Sequence, residues 1–344
     1  MILIQTPLRV SLFGGGTDYP TWYQEEDGLV LGMAIDKYCY VGVKPMPPGQ
    51  EIAPGVTLRY RVQYSKVDNC VDLDGIRHPA VKAALQSLAI DTPLEFNCFS
   101  DMPGRAGLGG SSTFTVSVLH ALRRMFNKPY SKGAEPFNPT LLATEASTIE
   151  REVIRETVGD QDQLFAAYGG FRIIGFSKKG HRVDPLRVEP SRIEQLAKSL
   201  VLVYSGIMRD AHVMAAKQVE QIPSSKDVMQ SMVEQAKEGI RIMHDQTKRL
   251  DGIGSLLTSA WLSKKILCPE VTNYEIDSLF ERGLDCGAAG GKLLGAGGGG
   301  FMLFFVAPKK QEAFKRSIGA PCVSFNVSRH GSRVVPLDYP KEDL

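Results

Sequence analysis

Residues 103–113 read Pro103-Gly104-Arg105-Ala106-Gly107-Leu108-Gly109-Gly110-Ser111-Ser112-Thr113, and a helical pattern begins directly behind them. Glycines at 104, 107, 109 and 110 let the backbone turn tightly and present N–H groups with no Cβ in the way. Phe114, Val118, Leu122 and Met125 then recur at helical spacing, with Val116 and Leu119 widening the apolar stripe. A glycine-rich turn opening onto a helix exposes unpaired N–H groups at the positive end of the dipole. Two readings stand. The stretch is an anion cradle suited to a nucleotide triphosphate, or an ordinary turn in which Ser111 or Ser112 caps the helix. It is not a Walker loop, since G-x-x-x-x-G-K-[ST] occurs nowhere, and the H-R-D and D-F-G strings of protein kinases are absent too.

Glycine clusters recur at both ends of the chain. Near the N-terminus stands Thr6-Pro7-Leu8-Arg9-Val10-Ser11-Leu12-Phe13-Gly14-Gly15-Gly16-Thr17-Asp18. Arg9 lies inside an apolar, strand-like run, where an arginine is costly to bury without an anionic partner; a structural ion pair or an edge position would also account for it. Asp18 either caps the turn after the glycines or accepts hydrogen bonds from a ligand's hydroxyls. Near the C-terminus, Gly295, Gly297 and Gly300 satisfy G-x-G-x-x-G, but the following Phe301-Met-Leu-Phe-Phe-Val reads as a strand rather than a helix, which removes the dinucleotide reading. A glycine run beside a strand implies close packing against a ligand or another backbone.

The intervening pattern is α+β in two lobes, strands first and then mixed. Residues 29–35 and 38–43 are apolar runs around Asp36-Lys37, residues 57–64 alternate, and residues 44–55 carry four prolines and two glycines, a loop signature. Further strands are expected at residues 94–99, 171–176, 200–204 and 301–306. Helices are expected at 78–88, 141–156, over a long stretch from Val228 to Met243, and at 273–282 with an Asn273 cap and a stop at Gly283. The polar, basic stretch at 177–190 suggests a boundary, giving domains at residues 1–180 and 195–344.

Composition narrows the class. Of 344 residues, 43% are hydrophobic and 23% charged, as in a globular protein, and a net charge of +2 gives no global attraction for nucleic acid or anionic membrane. No window is apolar enough to span a bilayer and no secretory leader is evident. The six cysteines are scattered with no C-x-x-C pair, so reduced, buried thiols in a cytoplasmic enzyme are expected, without zinc or a disulfide framework.

Together, and in order, the three glycine segments resemble the GHMP kinase superfamily, named for galacto-, homoserine, mevalonate and phosphomevalonate kinases, over nearly the whole chain. Within it, residues 8–19 look most like bacterial heptose kinases, which phosphorylate D-glycero-D-manno-heptose 7-phosphate at its anomeric hydroxyl to the 1,7-bisphosphate. The resemblance implies an N-terminal lobe like the second domain of ribosomal protein S5 and a ferredoxin-like C-terminal lobe. It also implies ATP and Mg²⁺, with the phosphates on residues 103–112, and a small-molecule sugar phosphate as the other ligand.

Site residues carry over by motif. Gly159-Asp160-Gln161-Asp162-Gln163 resembles the G-x-x-D-Q string of galactokinases, which places the catalytic aspartate at Asp162. Glu150, twelve residues earlier, has the spacing of the glutamate that helps hold Mg²⁺. Ser111 matches the Mg²⁺-binding serine, with Ser112 adjacent. Arg9 matches the basic residue beside the catalytic aspartate. Gly15, Gly16, Thr17 and Asp18 match the sugar-contacting turn. Where galactokinases have G-E-H-T-D, this chain has Gly14-Gly15-Gly16-Thr17-Asp18, which argues against galactose and leaves room for a bulkier sugar. Local chemistry offers blander accounts. Asp160 and Gln163 make a plausible capping box, Asp162 a second acid in a first helical turn, and Glu150 an acid on a solvated helix face. A second phosphate on the sugar needs a second cationic site, for which Lys37, Arg77-His78 and the Arg209–His212 segment are the candidates. An L-fucose kinase and a catalytically idle nucleotide- and sugar-binding regulator are the rival readings.

Overall fold

The computed structural model describes residues 1–130, 137–208, 211–247 and 249–336, and these build two main antiparallel-rich sheets with helices packed on them. The spine of the first sheet is one strand, Gly28–Pro45. Asp36-Lys37 does not interrupt it, because this is where the strand changes partner. Before it, Gly28 to Met33 pair with Phe176 to Phe171. After it, Cys39 to Pro45 pair with Ser100 to Leu94. Asp36 is satisfied there by the backbone and side-chain N–H groups of Asn326, each at 2.9 Å. Strand Ile2–Phe13 runs along the other side, with register shifts at Pro7/Arg9 and Ser11/Phe13.

Helices Pro79–Ser87, Gly110–Met125, Pro139–Thr148 and Gln161–Tyr168 share one apolar core with this sheet, around Val41, Phe96, Leu119 and Phe165. The expected helix over 141–156 is shorter: it ends at Thr148, passes into a π-helical turn at Ile149–Val153, and breaks where Arg155 adopts φ +65°. The stretch at 177–190, where the sequence suggests a boundary, contains a further strand of the first sheet. Gly180–Pro185 folds back as a hairpin on Phe171–Ser177, so its charges sit on a solvated turn and edge.

In the second sheet the order is Gly290–Leu293, Phe301–Phe305, Leu200–Tyr204, Cys322–Val323, with every neighbour antiparallel. The first strand in sequence therefore lies between the third and the fourth, the ferredoxin-like arrangement. Phe301–Phe305 is buried on both faces, as its unbroken apolar run requires. Asn273 caps its helix through a 2.9 Å bond from the Ile276 N–H. That helix does not stop at Gly283 but continues to Asp285. A Cβ at Gly283 would lie 2.2 Å from the Phe304 ring, so this glycine serves packing rather than termination. After the second sheet the chain returns to the first, where Val334 and Arg333 pair with Ile4 and Gln5.

Candidate active site

Residues 103–110 form the floor of the site. Arg105, Gly107 and Gly109 have φ of +58°, +77° and +76°, while Ala106 and Leu108 between them do not, an alternation that turns successive N–H groups into one concavity. Helix Gly110–Met125 follows with Gly109 at its cap and no side-chain cap, so neither serine closes its amino end. A Cβ at Gly104 or Gly110 would meet only open space. With no side-chain cap, the reading in which a serine caps the helix is removed.

The C-terminal glycines answer their question as well. A Cβ on Gly295 would sit 2.4 Å from Gly107 Cα, and one on Gly300 2.5 Å from Ala106 O. The Phe301 N–H donates to Ala106 O at 3.1 Å. It is backbone against backbone: the second lobe's glycine hairpin clasps the loop from behind.

Beside the loop, Arg9 is 6% exposed and grips Asp162 with both arms of its fork, Nε to Oδ1 and Nη2 to Oδ2, each at 2.8 Å. Its Nη1 donates to Gly107 O at 2.5 Å. A Cβ at Gly109 would stand 3.2 Å from both Asp162 Oδ2 and Arg9 Cγ, so only glycine lets the pair lie against the loop. Asp162 belongs to the first turn of Gln161–Tyr168, and its carboxylate remains 23% exposed.

Glu150 sits on the π-turn and is fully buried, not on a solvated helix face. Its carboxylate accepts from Ser112 Oγ at 2.9 Å, Thr115 Oγ1 at 2.7 Å and Gln163 Nε2 at 2.5 Å. Burial raises its pKa to about 7 despite these donors. The hydroxyl facing it belongs to Ser112; Ser111, the sequence match, is exposed. The capping box is absent too. Gln163 turns to Glu150 and Ser112, while Asp160 takes Tyr23 and Arg151 at 2.7 and 2.6 Å, with His181 at 3.5 Å.

The turn at residues 14–18 divides its labour. Thr17 is fully buried and its hydroxyl closes the turn onto Gly14 O at 2.8 Å, so Thr17 shapes the loop from inside. Asp18 is 1% exposed, receives the Gly16 N–H and Gln161 Nε2 at 2.9 Å each, and is pushed by burial to about 6. Gly15 packs against Ser11 Oγ and the Gln161 amide, and Gly16 lies open except toward Met232.

Of the candidate second-anion residues, Arg77 is held by buried Asp68 at 2.6 Å, Lys37 pairs with Asp36 at 3.4 Å, and His212 meets Glu156 at 3.1 Å. Arg209 and Asp210 lie outside the described residues. Thr115, Gln161 and Gln163 were missed by the sequence reading. The two glutamines flank Asp162 inside the G-x-x-D-Q string, which was the available signal.

Among the described residues no group of three or more His, Cys, Asp or Glu is arranged to hold a metal. Magnesium needs no such cage, because it is commonly held by one or two carboxylates with substrate phosphates and waters. Ser112 and Glu150 are hard oxygen donors, and a buried carboxylate raised toward neutrality is one that a cation would stabilise. The donor set fits. The cysteines are all free, with Cys39, Cys70 and Cys268 buried and Cys98, Cys286 and Cys322 half-buried rather than buried. Among the described residues no helix is long and apolar enough to cross a membrane.

The loop's N–H groups and Arg9 suit phosphate charge, the carboxylates suit a cation or a hydroxyl, and the two lobes around them have the architecture of a small-molecule kinase. Models of the GHMP kinases N-terminal domain and the GHMP kinases C-terminal domain match residues 77–170 and 232–323. The D-glycero-alpha-D-manno-heptose 7-phosphate kinase of Campylobacter jejuni is 31% identical, over 90% of this chain and 91% of that protein. A bifunctional fucokinase/GDP-fucose pyrophosphorylase of Arabidopsis thaliana is 28% identical, over 91% of this chain but 31% of that longer protein. In three dimensions, a D-glycero-D-manno-heptose 1-phosphate kinase from Bacteroides thetaiotaomicron superposes with a TM-score of 0.77 at 20% identity, over 98% of this chain and 100% of that one. The chain belongs to the GHMP kinase family, and it is an enzyme. Kinases of this family use ATP as phosphate donor, generally with Mg²⁺.

Proposed function

We propose that this enzyme is a sugar kinase that transfers the γ-phosphoryl group of ATP to the anomeric hydroxyl of D-glycero-D-manno-heptose 7-phosphate, giving the 1,7-bisphosphate. The observation that carries the reading is the bidentate Arg9–Asp162 pair lying against Gly109 of the N–H-lined loop. A carboxylate and a guanidinium beside that loop support a reading in which the acceptor hydroxyl meets the terminal phosphate there. The likeness to the Campylobacter heptose kinase supports the choice of sugar.

Little covalent work falls to the protein in phosphoryl transfer; positioning and charge neutralisation dominate. Backbone N–H groups of residues 107–112 hold the donor's phosphates. Asp18 accepts hydrogen bonds from sugar hydroxyls within the turn at residues 14–18. Asp162 orients the anomeric hydroxyl and takes its proton as the new oxygen–phosphorus bond forms and the bond to ADP breaks. Arg9 fixes the Asp162 carboxylate in both oxygens and faces the migrating charge. Ser112 and Glu150 would hold Mg²⁺, which when bound neutralises phosphate charge.

A coupled ATP-consumption assay over heptose 7-phosphate, L-fucose, galactose and mannose tests the reading, with the product identified by phosphorus NMR. Heptose 7-phosphate should give the highest kcat/KM. L-fucose is the second reading, favoured by the Arabidopsis relative, and preference for it would replace the first. A folded protein that consumes ATP with none of these sugars would point to a nucleotide- and sugar-binding regulator.

A further inference from the structure

Two lysines of the second lobe are buried at the junction of the lobes. Lys292, in strand Gly290–Leu293, is 7% exposed and crosses to the first lobe, where its ammonium donates to Leu12 O at 3.0 Å. Leu12 lies at the register shift of its strand, two residues before the glycine turn. Lys264, in helix Gly252–Leu267, is 8% exposed and donates to Gly295 O, the glycine that abuts Gly107 of the loop. Among the described residues neither lysine has a carboxylate within ion-pair distance. Arg9 is already matched by Asp162, so the junction is left with two uncompensated positive charges.

An ammonium has three donors, and a buried charge without a counter-charge is strongly disfavoured. One carbonyl each is poor compensation. Two polar atoms, one on the adjoining strand and one beside the glycine turn, are also unmatched. Ser11 Oγ, in a side chain 6% exposed and one residue from Leu12, has no partner, nor does the Gln161 Oε1 beside Gly15. We infer that Lys264 and Lys292, with Ser11, form a second anion site whose ligand is a phosphate group of the substrates, distinct from the loop at residues 103–112. A phosphate monoester carries about two negative charges and three acceptor oxygens, which matches two ammonium groups and a hydroxyl. Burial, and then the charges of Lys292 and Arg9, push Lys264 down to about 7, and burial with Arg9 pushes Lys292 to about 8. An arriving dianion would reverse that pressure.

The phosphate has two sources, the one already on the acceptor or the terminal one of the nucleotide; only the choice of the first rests on the heptose phosphate reading. The test is titration of the folded protein with inorganic phosphate at low salt, followed by calorimetry and thermal unfolding, for wild type, Lys264→Met, Lys292→Met and the double variant. Each substitution should weaken phosphate binding about tenfold or more. The unliganded double variant should also unfold at a higher temperature than wild type, because it no longer buries two unpaired charges. Repeating the titration with Mg²⁺ and a non-hydrolysable ATP analogue bound separates the sources. A response that persists assigns the pair to the acceptor's phosphate, and one that disappears assigns it to the donor's. Phosphate affinity unchanged in the double variant, or lysine variants that lose stability while binding phosphate as before, would overturn the inference in favour of simple carbonyl caps. If the double variant does not fold, the two single variants decide by the same criterion. The titration involves no sugar, so failure of the heptose reading in the acceptor panel leaves this test intact.

Discussion

Replacing Asp162 by asparagine keeps the shape of the side chain and removes its charge and one acceptor. Arg9 donates to both Asp162 oxygens, and an amide nitrogen cannot accept, so one of these two bonds must go. The arginine left behind is only 6% exposed. Removing one member of a fully buried pair costs about 3–5 kcal/mol, whereas an exposed pair contributes about 1 kcal/mol or less. Asp162 is 23% exposed, so a stability loss of about 2 kcal/mol is expected, between those limits. A domain stable by about 5–15 kcal/mol remains folded after such a loss. Catalysis should suffer far more. Without a proton acceptor kcat should fall about 10²- to 10⁴-fold, with KM for ATP changed by less than about threefold, since the loop at residues 103–110 is untouched. Steady-state kinetics on the best acceptor, with urea unfolding of the same preparation, measures both quantities. A folded Asp162→Asn variant that keeps kcat within about threefold of wild type would refute the role given to this carboxylate.

The two serines should separate cleanly. Ser112→Ala removes a ligand of buried Glu150 and should raise the Mg²⁺ concentration needed for half-maximal activity about tenfold or more, while Ser111→Ala leaves it nearly unchanged; the reverse order in a Mg²⁺ titration would restore the sequence match. Glu150 sits at about 7 in the folded chain against an ordinary value of 4.5, so the folded state retains a proton that the unfolded state releases. Its contribution to stability is therefore full below about 4.5 and lost as pH rises through about 7, with Asp18, raised from 3.8 to about 6, acting in the same direction. Glu150→Gln should flatten the decline in unliganded stability between these pH values, with Gln163 turning its unpaired Oε1 toward the new amide; an unchanged slope in urea unfolding across pH would exclude Glu150 as its source. Gly159→Ala would place a Cβ 2.0 Å from Asp18 Oδ2 and push that carboxylate out of its cradle. It should cost up to about 10²-fold in kcat/KM for the acceptor while sparing KM for ATP, and equal effects on both substrates would count against Asp18 as an acceptor ligand.

Local chemistry fixed a good deal of this protein. Periodicity placed the helix behind residue 110 and the strand at 200–204, because an apolar face must repeat at the pitch of its element whatever surrounds it. Glycine spacing placed the N–H-lined loop, because only glycine tolerates φ near +77° at residue 107 without strain. Other outcomes depended on partners remote in sequence. Gly283 read as a helix stop until Phe304 occupied the space beside it. Ser111 is the better match by motif, with Ser112 beside it, and only the packing of the π-turn against the helix decided that the Ser112 hydroxyl meets Glu150. Lys292 is one lysine in an otherwise apolar strand, and its burial against Leu12 O, 280 residues away, exists only once the lobes meet. Sequence determines which conformations each segment favours, since those preferences are local. Which charges end up buried, and against what, is decided by tertiary packing, because the dielectric surroundings and counter-charges of a side chain are supplied by residues that no local pattern contains.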